Sequence, residues 1–158
     1  MKQIQLGKSD IQITPVIMGT RQAGKQMWAG IDDGETQRAL RAAFDAGITT
    51  IDTASMYGNG HSERIIARSL GDVRHEVVYA TKVFANQLAR DQVFKACHQS
   101  LRNLDTDHID LYQIHWPAGS FGSRPVPVSE TLDAMAELKQ QGKIRAIGVS
   151  NFSRAQLE

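Results

Sequence analysis

Ile48-Thr49-Thr50-Ile51-Asp52-Thr53-Ala54-Ser55-Met56-Tyr57-Gly58 reads as a short buried strand that runs into a carboxylate, then into a loop carrying a phenol and a glycine. A strand that ends on an acid, with a tyrosine five residues later, has the makings of an active site. What surrounds it decides the fold.

Upstream, residues 2–6 and 11–14 alternate polar and apolar side chains around Gly7-Lys8-Ser9-Asp10, a hairpin signature with turn chemistry at its centre. Residues 15–20 are nearly continuous apolar sequence, the pattern of a strand covered on both faces. After a glycine-rich and polar loop, Asp32 with Glu35 three residues on marks a helix start, Leu40, Ala43 and Phe44 recur at helical spacing, and Gly47 is the stop. Downstream the unit repeats. Strands over 77–82, 109–115 and 144–149 alternate with helices starting near Ser62, Asp91 and Ser129. Their inner faces carry Ile65, Ile66 and Leu70, then Val93, Phe94, Cys97, Leu101 and Leu104, then Leu132, Met135 and Leu138. A further helix begins near Ser153.

A strand-then-helix unit every 30–35 residues or so means an α/β protein with right-handed crossovers. Two architectures give that alternation, an open doubly wound sheet and an eight-fold barrel. The doubly wound form needs a phosphate-binding turn after an early strand. The nearest match, Gly58-Asn59-Gly60-His61-Ser62-Glu63, lacks the third glycine of the dinucleotide fingerprint, and there is no P-loop. The pattern therefore predicts the (β/α)8 barrel class, here an incomplete barrel with an N-terminal β-hairpin and five βα units, where a whole one takes about 250 residues. No linker or charge block divides residues 1–158, which read as one domain.

Composition excludes several functions. A net charge of +1 implies no bulk attraction to nucleic acid or membrane, and no apolar run is long enough to span a bilayer. Cys97 is the only cysteine, so neither a disulfide nor a cysteine metal cluster is expected. With no signal-peptide core at the start of the chain, the expected compartment is cytoplasmic.

In a barrel, the C-terminal ends of the strands converge on one mouth. Here they carry Gly19-Thr20, Asp52, Lys82, His115 and Ser150-Asn151, with Tyr57 on the loop after Asp52. Each has a bland alternative: a capping Asp, a solvated Lys, a packing Tyr, a structural His. The coincidence argues against it, because successive strands end in Asp, Lys and His, all able to move protons or tune those that do. Tyr57 would act as an acid, Lys82 would lower the cost of giving up its proton, Asp52 would hold Lys82, and His115 would orient a carbonyl oxygen.

These residues carry a resemblance. The runs Asp52-Thr53-Ala54-Ser55-Met56-Tyr57-Gly58, Gly60-His61-Ser62-Glu63 and Ala80-Thr81-Lys82-Val83 are followed by residues 107–117, which end Gln113-Ile114-His115-Trp116-Pro117, and by residues 142–152, which end Val149-Ser150-Asn151-Phe152. In that order they resemble the aldo-keto reductases, especially the bacterial NADPH-dependent oxidoreductases. The resemblance implies a barrel that binds NADPH (NADP+) extended, without a Rossmann turn, and reduces a small-molecule carbonyl substrate. It places a catalytic tetrad on Asp52, Tyr57, Lys82 and His115, with Tyr57 the general acid and hydride moving directly from nicotinamide to the carbonyl carbon. Gly19, Thr20 and Asp52 would lie against the cofactor, and Ser150 and Asn151 would hydrogen-bond its carboxamide. Trp28, Phe84 and Trp116 would line the substrate pocket, with loop packing the equal alternative. No metal is implied.

Family members continue through three more strands, which carry the aromatic that stacks on nicotinamide and the groups that hold the adenosine 2′-phosphate. The expectation is thus an N-terminal portion, a fragment or truncated product, inactive alone and self-associating through open barrel edges. The alternative function is a non-catalytic interaction or regulatory protein on the same fold, as the channel-associated β subunits of the family illustrate.

Overall fold

The computed structural model describes residues 1–26 and 28–157. A two-stranded antiparallel hairpin, β1 (Ile4–Gln5) and β2 (Gln12–Ile13), precedes a five-stranded parallel sheet made of β3 (Met18–Gly19), β4 (Thr50–Asp52), β5 (Val78–Val83), β6 (Ile109–Ile114) and β7 (Ile144–Val149). Helices α1 (Asp33–Asp45), α2 (His61–Leu70), α3 (Arg90–Leu104) and α4 (Val128–Gln140) fill the crossovers. Strand order follows chain order with no reversal, and neighbouring helices pack on one another in the same order. A doubly wound sheet reverses direction at a switch point. This sheet is instead an arc of a barrel wall, helices outside.

Strand alternation sorts the side chains. Ile51, Tyr79, Val83, Tyr112 and Ile114 point outward and are buried against Leu40, Ile65, Ile66, Leu70, Val93, Leu104, Met135 and Leu138 of the four helices. Ile13, Thr50, Asp52, Val78, Ala80, Leu111 and Gln113 line the inner face instead. Lys82, two residues beyond Ala80, shares that inner parity. The hairpin closes the lower end, with Ile11 buried and the Thr14 amide donating to Thr50 Oγ1 at 2.9 Å.

The helix starts are local. Asp32 caps α1 by accepting the Glu35 amide at 2.9 Å. On α4 the expected inner set needs correction: Thr131, Ala134, Met135 and Leu138 are buried, whereas Leu132 is exposed. The buried set keeps the i, i+3, i+4, i+7 spacing. Thr131 belongs to it because its hydroxyl donates to the Leu88 carbonyl at 2.7 Å. The apolar run at 15–20 forms only a two-residue strand, and the chain after Ser153 makes a 3-10 turn (Arg154–Gln156). Among the described residues no helix is long and apolar enough to cross a membrane.

Candidate active site

The upper ends of the strands are tied together before any charged group is considered. Thr20 donates both its amide and its hydroxyl to the Asp52 carbonyl, each at 3.0 Å. Ser62 Oγ, at the start of α2, lies 2.9 Å from Thr20 O, 2.8 Å from Thr20 Oγ1 and 3.0 Å from Thr53 Oγ1. The next residue, Glu63, is fully buried and accepts from Thr81 Oγ1 and Asn103 Nδ2, both at 2.8 Å. These bonds lock β3, β4 and β5 to α2 and α3 around the Asp52 loop.

Tyr57 sits on that loop with its backbone held on both sides. Its amide donates to Ala54 O at 3.0 Å, and its carbonyl accepts from Ser62 N at 3.2 Å. Against it lies the 3-10 turn Arg21–Gly24. A Cβ on Gly24 would sit 2.6 Å from the Tyr57 carbonyl carbon, and one on Gly58 only 2.5 Å from Gly24 O. Both positions demand glycine. Asp33 fastens this turn from outside through Lys25 Nζ at 2.8 Å and His61 Nε2 at 2.9 Å. Those two hydrogen bonds hold its carboxyl below the ordinary range.

The Lys82 ammonium, almost fully buried, donates to Asp52 Oδ1 and Oδ2 at 2.7 Å each and to Thr53 O at 2.8 Å. Three donors meet three acceptors, so Lys82 has no donor left over. It lies 5.6 Å from the centre of the Tyr57 ring. The expected lowering of the phenol by Lys82 is not what results. Burial, and then the Asp52 carboxylate, push Tyr57 above its ordinary value, and only Arg21 opposes them. The physical reason is that the Asp52–Lys82 pair is close to neutral as a unit. Tyr57 therefore stays protonated at neutral pH.

The His115 ring meets that of Tyr57 edge-on, with centroids 5.8 Å apart. Burial first, and Lys82 next, pull His115 down to about 4, and its buried Nδ1 has no hydrogen-bond partner among the described residues. It is a neutral imidazole at pH 7. The Asn151 amide caps this strand end by donating to His115 O at 2.9 Å and to Ser150 Oγ at 3.0 Å. Asn151 Oδ1 and the Ser150 hydroxyl then remain as an acceptor and a donor, complementary to a primary carboxamide.

Asp52, Tyr57, Lys82, His115, Ser150, Asn151, Phe84 and Trp116 line one cleft of about 600 Å3. Gly19 pairs with Asp52 and faces the inner cavity below it, Thr20 is buried with its hydroxyl on Asp52 O, and Trp28 is half exposed outside the cleft lining. Cys97 is a buried thiol pushed up to about 12 by its apolar surroundings, in keeping with a packing role. Sequence reasoning passed over Arg21 and Phe121, which also line the cleft. Arg21 directly follows a strand end, a position the mouth rule covers. Phe121 had no such signal. It stacks on Phe84 at 5.5 Å and meets Trp116 edge-on at 5.1 Å, from a left-handed backbone with φ 56°.

Comparison with known proteins places the chain in a family. The chain is 40% identical to aldo-keto reductase YhdN of Bacillus subtilis over all of its own length and 49% of that protein. It superposes on the thermostable aldo-keto reductase Tm1743, solved with the inhibitor epalrestat, with a TM-score of 0.88 and 39% identity over 99% of this chain and 56% of that one. An aldo-keto reductase from Klebsiella pneumoniae, solved in complex with NADPH, matches with a TM-score of 0.81 and 35% identity over 92% of this chain and 48% of that one. The chain spans about half the length of the curated relatives it matches. The model of the aldo/keto reductase family covers residues 15–158, and the chain belongs to that family.

Proposed function

We propose that these residues form the proton-donating half of an NADPH-dependent carbonyl reductase site. The observation that carries the reading is a protonated Tyr57 facing a neutral His115 above the ion pair of buried Lys82 with half-buried Asp52, all in one cleft. When bound, the nicotinamide would supply the hydride to the carbonyl carbon. Tyr57 would give its phenolic proton to the carbonyl oxygen as negative charge builds there. His115, neutral and able to donate from Nε2, would hold that oxygen in line. Arg21 brings positive charge beside the phenolate left behind, and the paired Lys82 and Asp52 hold each other in place below it. Ser150 and Asn151 offer the donor and acceptor that fit a nicotinamide carboxamide, and the NADPH-bound relative supports that choice of cofactor.

The substrate class is an aldehyde or ketone small enough for the cleft, with Phe84, Trp116 and Phe121 as its apolar wall. Two measurements test the proposal. NADPH titrated against the chain should bind saturably, and no binding would sink the reading. In protein that oxidises NADPH with a simple aldehyde, Tyr57→Phe should lower kcat by about two to four orders of magnitude. Retained turnover would remove Tyr57 from the acid role.

A further inference from the structure

Arg21 begins a short turn whose backbone is held at both ends, while the residue itself is exposed. The preceding residue, Thr20, is tied to the Asp52 carbonyl, and Gly24 three residues on is pressed against the Tyr57 backbone. The short turn between them is thus anchored to two site residues, and Arg21 lines the same cleft as Tyr57 and His115. Among the described residues its side chain makes no hydrogen bond or ion pair. The other charges in the cleft cancel, since Lys82 is paired with Asp52. His115 is neutral at pH 7. The rest of the lining consists of amides, a hydroxyl, a thioether and aromatic rings. One positive charge is left without a counter-ion, and it is a guanidinium, whose planar fork matches a carboxylate.

We propose that Arg21 is a specificity-determining residue that binds the carboxylate of an oxo-acid substrate, a short aldehyde or ketone with the carboxylate a few bonds from its carbonyl. This deepens the reductase reading and rests on it. Arg21 already acts electrostatically on both Tyr57 and His115, which puts its charge near the reacting carbonyl. That nearness favours a carboxylate of the substrate over the phosphates of the cofactor. A charge-assisted pair formed in a partly enclosed cleft contributes enough to change affinity about tenfold or more.

The test compares 4-oxopentanoate with 2-pentanone, which have the same carbon count and the same ketone but differ in charge. Binding to the 158-residue chain is followed by calorimetry and by the His115 ring resonances. The wild type should bind the oxo acid about tenfold more tightly. Arg21→Gln should bring the ratio close to one, and Arg21→Lys should keep a few-fold preference by retaining charge without the fork. Equal affinity in the wild type, binding of neither compound, or a ratio unmoved in Arg21→Gln overturns the proposal. A fall in NADPH affinity in Arg21→Gln, with the ratio intact, assigns the guanidinium to the cofactor's phosphates and also overturns it. Carboxylate preference in a chain that binds no NADPH refutes the reductase reading and leaves the anion site standing, so the two failures are distinguishable.

Discussion

His115 is held neutral by burial first and by the charges that surround it second. Around it stand the Lys82 ammonium, the Asp52 carboxylate, the Arg21 guanidinium and the Tyr57 phenol. The folded chain protonates His115 only near pH 4, whereas an unfolded chain does so near the ordinary value of 6.5. Above pH 6.5 both states are neutral and the imidazole costs nothing. As pH falls from 6.5 towards 4 only the unfolded state gains the proton, so stability is lost across that window, by up to about 3 kcal/mol. Urea melts at pH 7 and pH 4 should show a drop in the wild type that exceeds the drop in His115→Gln by about that amount, the carboxylates contributing alike to both. The same drop in both proteins would mean that His115 is not held neutral. This residue was legible in the sequence, as were Asp52 and Lys82, because strand periodicity and the strand-end rule suffice to place them. Phe121 was not legible: its position depends on how residues 116–127 fold back over Phe84, which no local pattern encodes.

Elements built from repeated local patterns were read correctly wherever the pattern was long. The helices α1, α2, α3 and α4 begin within one or two residues of their sequence signals, and the sheet follows from the strands they connect. Short stretches went astray because tertiary contacts overrule them. Thr131 displaced Leu132 from the inner face of α4 through its bond to Leu88 O, and residues 15–20 pair only where β4 runs alongside. The least legible element was the turn Arg21–Gly24, whose importance is wholly non-local. Gly24 and Gly58 let two backbones meet at a distance that no side chain tolerates, and Tyr57 lies between them in sequence and in space. Gly24→Ala should cost about 2 kcal/mol by overpacking against backbone that cannot yield. Gly71→Ala, where an added Cβ meets nothing within 4 Å, should be nearly neutral. The displacement should also be visible at the phenol. Tyr79 is pushed up to about 12 by burial and Tyr112 higher still, so the first tyrosine to ionise in an absorbance titration is Tyr57. Gly24→Ala should move that first step, and Gly71→Ala should leave it in place.

At the scale of the molecule, the sheet has an outer face packed by helices and an inner face that opens onto a cavity. The helices bury the outer face of the three central strands and partly bury Met18, Ile147 and Val149 at its margins, while among the described residues β3 and β7 keep one unpaired edge each and the inner face opens into a cavity of about 380 Å3 lined by Leu6, Ile13, Ile17, Val78, Ala80 and Leu111. Strand edges and an apolar face presented to water are templates for pairing with another chain. The 158-residue chain taken alone should therefore self-associate, with a sedimentation coefficient that rises with concentration. Ile17 is the place to intervene, since it is 45% exposed beside the edge strand β3 and lines that inner cavity. Ile17→Lys puts a charge on the open face without touching the helix-packed core, and should shift the chain towards monomer at equal concentration. A wild-type chain that sediments as a monomer at all concentrations would show that the exposed edges are already protected. An Ile17→Lys chain that associates as strongly as the wild type would move the contact away from the β3 side.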